Sequence, residues 1–574
     1  MGKKMKFCEY KFRSTLVSGT LTKAVAYILL LCDSIISGFF IGENGVAAIN
    51  TIAPITGSVI FLSNIISVGT GIVYSRRIGS MKKKEADEIF GQGLIISVLI
   101  AVIGAGTLIL VRDAYFGAAG ITGEIYELAS AYYDWTPLSV IFEVMIAYLM
   151  QMVYIDGDEL CNNISNAGQI IGNLVFSILL VQIMGMPGII LGTIIGNAIG
   201  ILPAFWHFAG KRNTLHFVWH FSVADLVQTV RYSIVDSVVF LCWAASDYVM
   251  IGHVSSCYGE AGLVTLAVVF NVIEFGVVLD GVGSAVQPLL GTYFGEDNPV
   301  MIKRLMKDAF LAALMEGIAA ALLLYLFAGL FAALFGITSG ESLYSAVYAI
   351  RIMSLSLVFN SIFSLVTSYY MLIDHVTLSV SLTALKDGLL YSAFPIAGSM
   401  LFGVTGMWVS FTIAPLIALL AALIFVRLIY GKKRFPFLLD SVDSEIIVMD
   451  DMMTNENISR ISARVSELML ERGYSKKTAM HAALFVEEIC LTILEKNKKR
   501  RNTLYVEMTL FFEQTSVLLI ERDSGDIFDL TDPDLRIEGL SGFILSSLME
   551  SHGEKAYLTT TGYNRNMIRF QKAG

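Results

Sequence analysis

Cys32-Asp33-Ser34-Ile35-Ile36-Ser37-Gly38 sets one carboxylate in an otherwise apolar run and closes on a glycine. The same arrangement returns at Ser246-Asp247-Tyr248-Val249-Met250-Ile251-Gly252. Asp and Gly are each displaced by 214 positions (247 − 33 and 252 − 38), and so are Val68-Gly69-Thr70 and Val282-Gly283-Ser284 (282 − 68). One interval shared by three landmarks is an internal duplication. Glu43-Asn44-Gly45 and Glu260-Ala261-Gly262 stand 217 apart (260 − 43), a drift expected of a loop, where insertions are tolerated. An acid in hydrocarbon is costly and marks function, and in duplicated membrane proteins the site lies between the halves. Asp33 and its repeat partner Asp247 are therefore the leading candidates.

Composition places the rest of the chain around that acid. Of 574 residues, 55% are hydrophobic and only 16% charged, and the mean hydropathy is +0.68. Soluble domains are far more polar, so most of the chain is expected in lipid. The net charge of −9 gives no reason to expect nucleic acid. Met1-Gly2-Lys3-Lys4-Met5-Lys6 leads into further apolar sequence instead of a cleavage site, and Lys6 fails the myristoylation pattern. The six cysteines are scattered, without Cys-x-x-Cys or histidines at ligand spacing, so reduced packing residues are expected and no metal site.

Up to Tyr430 there are about twelve apolar runs long enough to cross ~30 Å of hydrocarbon. They fall at 20–41, 46–75, 89–112, 131–154, 163–184, 187–209, 230–254, 262–293, 308–335, 343–372, 378–401 and 404–430, half of them in each repeat. Basic residues collect at Lys3 to Arg13, Arg76 to Lys84, Lys211-Arg212, Lys303 to Lys307 and Arg427 to Arg434. All share one side if both termini are cytoplasmic. After Phe435-Pro436 the chain becomes charged and no run is long enough to span. Ile458–Leu470 and Thr478–Leu494 have helical periodicity, whereas Leu504–Phe512 and Val517–Ile520 read as strands. The expected fold is thus an all-α polytopic membrane protein of twelve transmembrane helices in two six-helix lobes, 1–215 and 216–435, plus a small cytoplasmic α/β sandwich domain at 440–574.

Asp33-Ser-Ile-Ile-Ser-Gly38-Phe-Phe-Ile-Gly42-Glu43-Asn-Gly45-Val-Ala47-Ala48, with Ala53-Pro54, resembles the multidrug and toxic compound extrusion (MATE) transporters. So does Gly281-Val-Gly283-Ser-Ala-Val-Gln287-Pro288-Leu-Leu-Gly291-Thr-Tyr-Phe-Gly295, whose weaker counterpart runs from Gly69 to Gly79, and Gly403-Val-Thr-Gly406-Met-Trp408 is similar to the family's start of the last span. The likeness implies twelve helices, alternating access about a midplane site, and antiport of amphipathic organic cations against H⁺ or Na⁺ across a bacterial-type inner membrane, with no cofactor beyond the gradient. It carries the first-helix coupling acid onto Asp33, whose burial lets it hold a proton and release it when water or a cation arrives. Glu274 and Asp280 are expected as second-lobe cation sites, beside the Gln287-Pro288 motif; the other acids in apolar context are Glu143, Asp236 and Glu316. Asn173 is expected near the site, but the acid that often follows it in the family is Ser177 here. Lys386-Asp387 is expected to neutralise itself. Pro54 and Pro288 are either hinges or simple kinks.

The tail resembles the ATP-binding domain of the histidine-kinase and anti-sigma-factor kinase group, through Val486-Glu487-Glu488-Ile-Cys-Leu-Thr492, Asp523-Ser-Gly525-Asp526, Gly539-Leu-Ser-Gly542 and Gly562-Tyr563-Asn564-Arg565-Asn566. That likeness implies ATP and Mg²⁺ at Glu488, Thr492, Asp523 and Gly525, although Thr492 stands where the group has a Mg²⁺-holding Asn. The alternative is a degenerate domain kept for regulation or for binding a cytoplasmic protein. Two other readings of the whole stay open: a flippase for lipid-linked sugars, and a membrane-anchored kinase-like sensor.

Overall fold

The computed structural model describes residues 6–572 apart from 120–122, 211–212, 335–336, 338, 440–444, 500–502, 527–539, 552–554 and 561. The first repeat forms α1 (Phe7–Phe40), α2 (Glu43–Gly79), α3 (Lys83–Ala119), α4 (Glu124–Tyr133), α5 (Thr136–Ile155), α6 (Glu159–Met184) and α7 (Met186–Ala209). The second forms α8 (Val223–Phe275), a 3₁₀ stretch (Gly276–Asp280), α9 (Gly281–Gly295), α10 (Pro299–Leu326), α11 (Ala328–Leu334), α12 (Gly340–Ser354), α13 (Ser356–Leu372) and α14 (Val376–Thr383). A π stretch (Ala384–Leu390) and α15 (Ala393–Arg434) complete it.

Among the described residues, seven helices are long and apolar enough to cross a membrane, or eight if the pair bent by 43° at Leu355 is one span. The expected twelve are not separated by this criterion, because expected spans run together. α8 holds the seventh expected run and part of the eighth in one helical stretch. The last two merge within Val376–Lys432, although Phe402 and Gly403 leave helical geometry where the start of the final span was expected.

The first lobe is tightest at α6 against α7. A Cβ added to Gly192 would lie 2.1 Å from Ser177 Oγ, and one on Gly196 2.6 Å from the Asn173 nitrogen. Such backbone contact is how helices gain dispersion energy in lipid, where burial of apolar surface supplies none. The lobes meet along α1, α2 and α9. At the end where the basic clusters lie, a Cβ on Gly79 would be 2.9 Å from the Gly295 Cα and 2.4 Å from Thr292 O.

The tail is a five-stranded antiparallel sheet, β1 (Glu445–Met452), β2 (Tyr505–Phe512), β3 (Ser516–Asp523), β4 (Lys555–Thr560) and β5 (Tyr563–Gln571), in the order β1-β2-β3-β5-β4. α16 (Asn455–Glu471) and α17 (Lys476–Lys496) carry apolar stripes, Ile458, Ile461, Val465, Leu468 on the first and Ala482, Phe485, Ile489, Ile493 on the second. With α18 (Leu540–Ser551) these stripes cover Val506, Met508, Leu510, Val517, Leu519, Ile568 and Phe570 in one core. Each such residue contributes about 1.5–3 kcal/mol. Thr454 and Ser475 cap the two helices, accepting from the Asn457 and Thr478 amides. The alternate residues of β2, β3 and β5 face the membrane part.

Candidate functional site

Asp33, half-buried on α1, points among the first lobe's own helices. Tyr132 on α4 donates to its Oδ2 at 2.7 Å, and Thr193 on α7 approaches Oδ1 and Oδ2 at 3.0 and 3.2 Å. Asn173 on α6 donates to Thr193 Oγ1 at 2.6 Å, so Asn173 lies one residue behind the carboxylate. Glu143 on α5, in electrostatic reach of Asp33, accepts from Ser139 at 2.7 Å.

This cluster follows from a four-residue repeat on two antiparallel helices. Gln169 Nε2 donates to Asn197 Oδ1 at 2.7 Å, Asn173 to Thr193, and Ser177 Oγ to Ile189 O at 3.0 Å. Residues four apart share a helix face, so each rung aligns the next. Ser177 itself lies in the tight seam with Gly192, fully buried.

The second lobe is organised differently. Asp280 ends the 3₁₀ stretch and accepts from Ser364, within electrostatic reach of Glu316 and Lys386. Lys386 pairs with Asp387 at 3.0 Å inside the π stretch and donates to Asn360 at 3.2 Å, so the expected mutual neutralisation is present. Glu316 accepts from Thr20 of α1 at 3.2 Å, tying the lobes together. The side chains of Asp247, Glu274, Asp236 and Pro54 lie outside the described residues. Gln287 is buried in the inter-lobe seam, its Nε2 3.2 Å from where a Gly71 side chain would begin. Pro288 lies one residue on, inside α9.

In the tail, Asp523 and Gly525 come together at the end of β3, while Glu488 and Thr492 lie along α17. Asp523 is fully buried, and its Oδ1 accepts from the Gly525 amide at 2.6 Å and from Asn564 at 3.0 Å. Thr492 donates to its own helix at Glu488 O. Asn497, which no motif singles out, accepts from the Asp526 amide at 3.0 Å beside Gly525. The Asp523 Oδ1 is thus engaged by a turn and by β5, and the Thr492 hydroxyl by its own helix.

Two duplicated helical lobes with polar groups buried in their bundles define a membrane transporter fold. A model of the MatE family matches at residues 20–158 and again at 233–383, so the chain belongs to the MATE family of secondary transporters. The two matches begin 213 residues apart (233 − 20), in agreement with the internal repeat. The chain is similar to the multidrug export protein MepA of Staphylococcus saprophyticus, 23% identical over 425 residues covering 71% of this chain and 92% of that protein. MepA of Staphylococcus haemolyticus is 22% identical over 311 residues, 53% of this chain and 68% of that protein. A MATE crystal structure in complex with MaL6 superposes with a TM-score of 0.68 at 20% identity, over 74% of this chain and 96% of that one. An outward-facing multidrug resistance MATE transporter gives 0.66 at 20%, over 73% and 95%.

Proposed function

We propose that the protein is a cation-coupled antiporter that exports amphipathic organic cations from the cytoplasm by alternating access, with Asp33 as the coupling acid. The observation that carries this reading is the setting of Asp33: a carboxylate on the first helix, held by two neutral hydroxyls from other helices of its lobe. Neutral donors stabilise the anion without fixing it, so a proton or Na⁺ can come and go without stranding a buried partner charge. Tyr132 and Thr193 orient the carboxylate, and Asn173 orients Thr193. Asp280 and Glu316 add negative charge in the second lobe for a cationic cargo.

The membrane is a bacterial-type inner membrane crossed twelve times, with both termini and the tail on the cytoplasmic side, a placement supported by the basic clusters. The tail is a degenerate nucleotide-binding-like module with a regulatory role. Everted vesicles, whose outer face is the cytoplasmic one, test the reading by uptake of a fluorescent cation from the medium under separately imposed H⁺ and Na⁺ gradients. Gradient-driven dye movement is expected, and its absence under both gradients would refute export.

A further inference from the structure

The tail's outer sheet face is built to meet the transporter. Glu507, Arg522 and Arg565 stand side by side across β2, β3 and β5. All are 0% exposed. Like charges directly opposite on neighbouring strands repel. Glu507 bonds Arg522 at 2.5 Å, and the second carboxylate comes from Glu296 at the end of α9, which meets Arg522 and also Arg565 at 2.6 Å. Arg565 donates as well to Ile78 O and Gly79 O at 2.8 and 2.9 Å, the last carbonyls of α2. The Ile78 carbonyl also accepts from the Met81 amide at 3.0 Å, and both carbonyls lie at the negative end of the helix dipole, so a guanidinium caps them well.

Arg565 therefore holds the α2 end of one lobe and the α9 end of the other, where Gly79 and Gly295 bring the two backbones into contact. Further ties reach both lobes. Tyr293 of α9 donates to Glu507 at 3.0 Å, and Arg304 of α10 meets Asp450 at 2.9 Å. Tyr10 of α1 stacks on Tyr505 at 4.7 Å. At the β4–β5 turn, Gly562 has φ +66° and its amide donates to Asp156 O at 3.0 Å; a Cβ there would strike Gly157 O at 2.4 Å. Met81, in the turn after α2, packs on Phe511, Ile520 and Met567.

We propose that the tail is an intramolecular latch: docked across both lobes, it keeps the transporter shut at its cytoplasmic end, and the transport cycle waits on its release. This rests on the alternating-access reading above. Two bodies that must part to admit cargo cannot do so while one rigid sheet is bonded to both.

Cys8 is 0% exposed beneath the tail, in one apolar cluster with Tyr293, Tyr505 and Tyr563, and so is a native reporter of docking. Ser75 is buried against Gly291 in the inter-lobe seam, and Ser75→Cys reports opening of that seam. In the full-length protein in nanodiscs, maleimide labelling of both thiols is quantified by peptide mass spectrometry for the otherwise native sequence and for Glu296→Lys. The latch predicts that Glu296→Lys raises labelling of both by about tenfold or more. Arg565→Ala, altered on the tail side only, predicts the same pattern if Glu296→Lys fails to fold. Labelling of Cys8 without labelling of residue 75 would overturn the latch, as would protection of Cys8 in both variants. Dye transport in the same samples is a separate readout: its absence alongside a seam that opens refutes export and leaves the latch standing.

Discussion

The two lobes arose from one repeat, yet one buried acid in each is held in an opposite way. Asp33 meets hydroxyls of Tyr132 and Thr193, whereas Asp387 meets the ammonium of Lys386. A carboxylate held by neutral donors changes protonation at modest cost. One locked to a buried cation cannot, because losing either charge strands the other. On the proposed reading Asp33 is placed to titrate and Asp387 to stay paired, while Asp280 and Glu316, which accept from the hydroxyls of Ser364 and Thr20, share the neutral-donor setting of Asp33.

The largest effect that tests this contrast is on stability. Lys386→Ala removes the ammonium from buried Asp387, and we expect a loss of about 3–5 kcal/mol, measured by thermal unfolding in detergent. Lys386→Met with Asp387→Leu should restore most of it; equal loss in the double variant would mean that the pair does more than neutralise itself. Ser177→Asp forces a charge and extra volume against Gly192, and a destabilisation of about 3 kcal/mol is expected, against less than about 1 for Ser177→Ala. Tyr132→Phe removes one donor to a charged acceptor, worth about 1.5–3 kcal/mol. We expect it to slow coupled export about tenfold and to shift its pH profile alkaline, because the protonated acid gains relative to the anion.

The smallest expected effect lies in the tail, where titration again follows the partners. Burial, then the charge of Glu507, pushes Asp450 up to about 7, against the opposing charges of Arg304 and Lys6 and the Phe7 amide. A raised pKa in the docked state means proton uptake on docking. Docking is then strongest in acid and weakens as pH rises from the ordinary carboxylate range through about 7. Labelling of Cys8, corrected for the pH-dependent reactivity of a freely exposed thiol, should increase across that window and lose that extra pH dependence in Asp450→Asn.

Much of this architecture is legible in the amino-acid sequence. A carboxylate in an apolar run, returning at one fixed interval, marks both Asp33 and the duplication, because hydrocarbon makes an acid conspicuous. Tyr132 and Thr193 carry no such mark, since helical hydroxyls are common and ordinarily bond their own backbone. The spacing of Gln169, Asn173 and Ser177, each four apart, is a readable sign of the polar ladder. Span boundaries blur where α8 runs on from one expected span into the next, because hydropathy marks lipid exposure and says little about where a helix bends. β1 escapes the strand pattern because Asp450 and Asp451 mask it, and Arg522 and Arg565 look like solvent-facing strand residues. Their purpose depends on Glu296, more than two hundred residues away in sequence, a pairing that no local pattern encodes.

The most direct measurement is dye accumulation in everted vesicles, the equivalent of cellular export, for the native protein, Asp33→Asn and Lys386→Met with Asp387→Leu, under separate H⁺ and Na⁺ gradients. We expect gradient-driven export to fall about a hundredfold in Asp33→Asn, equivalent to about 3 kcal/mol, and to survive in the paired substitution. Undiminished coupling in Asp33→Asn, or its loss only when the second-lobe pair is removed, would contradict the account.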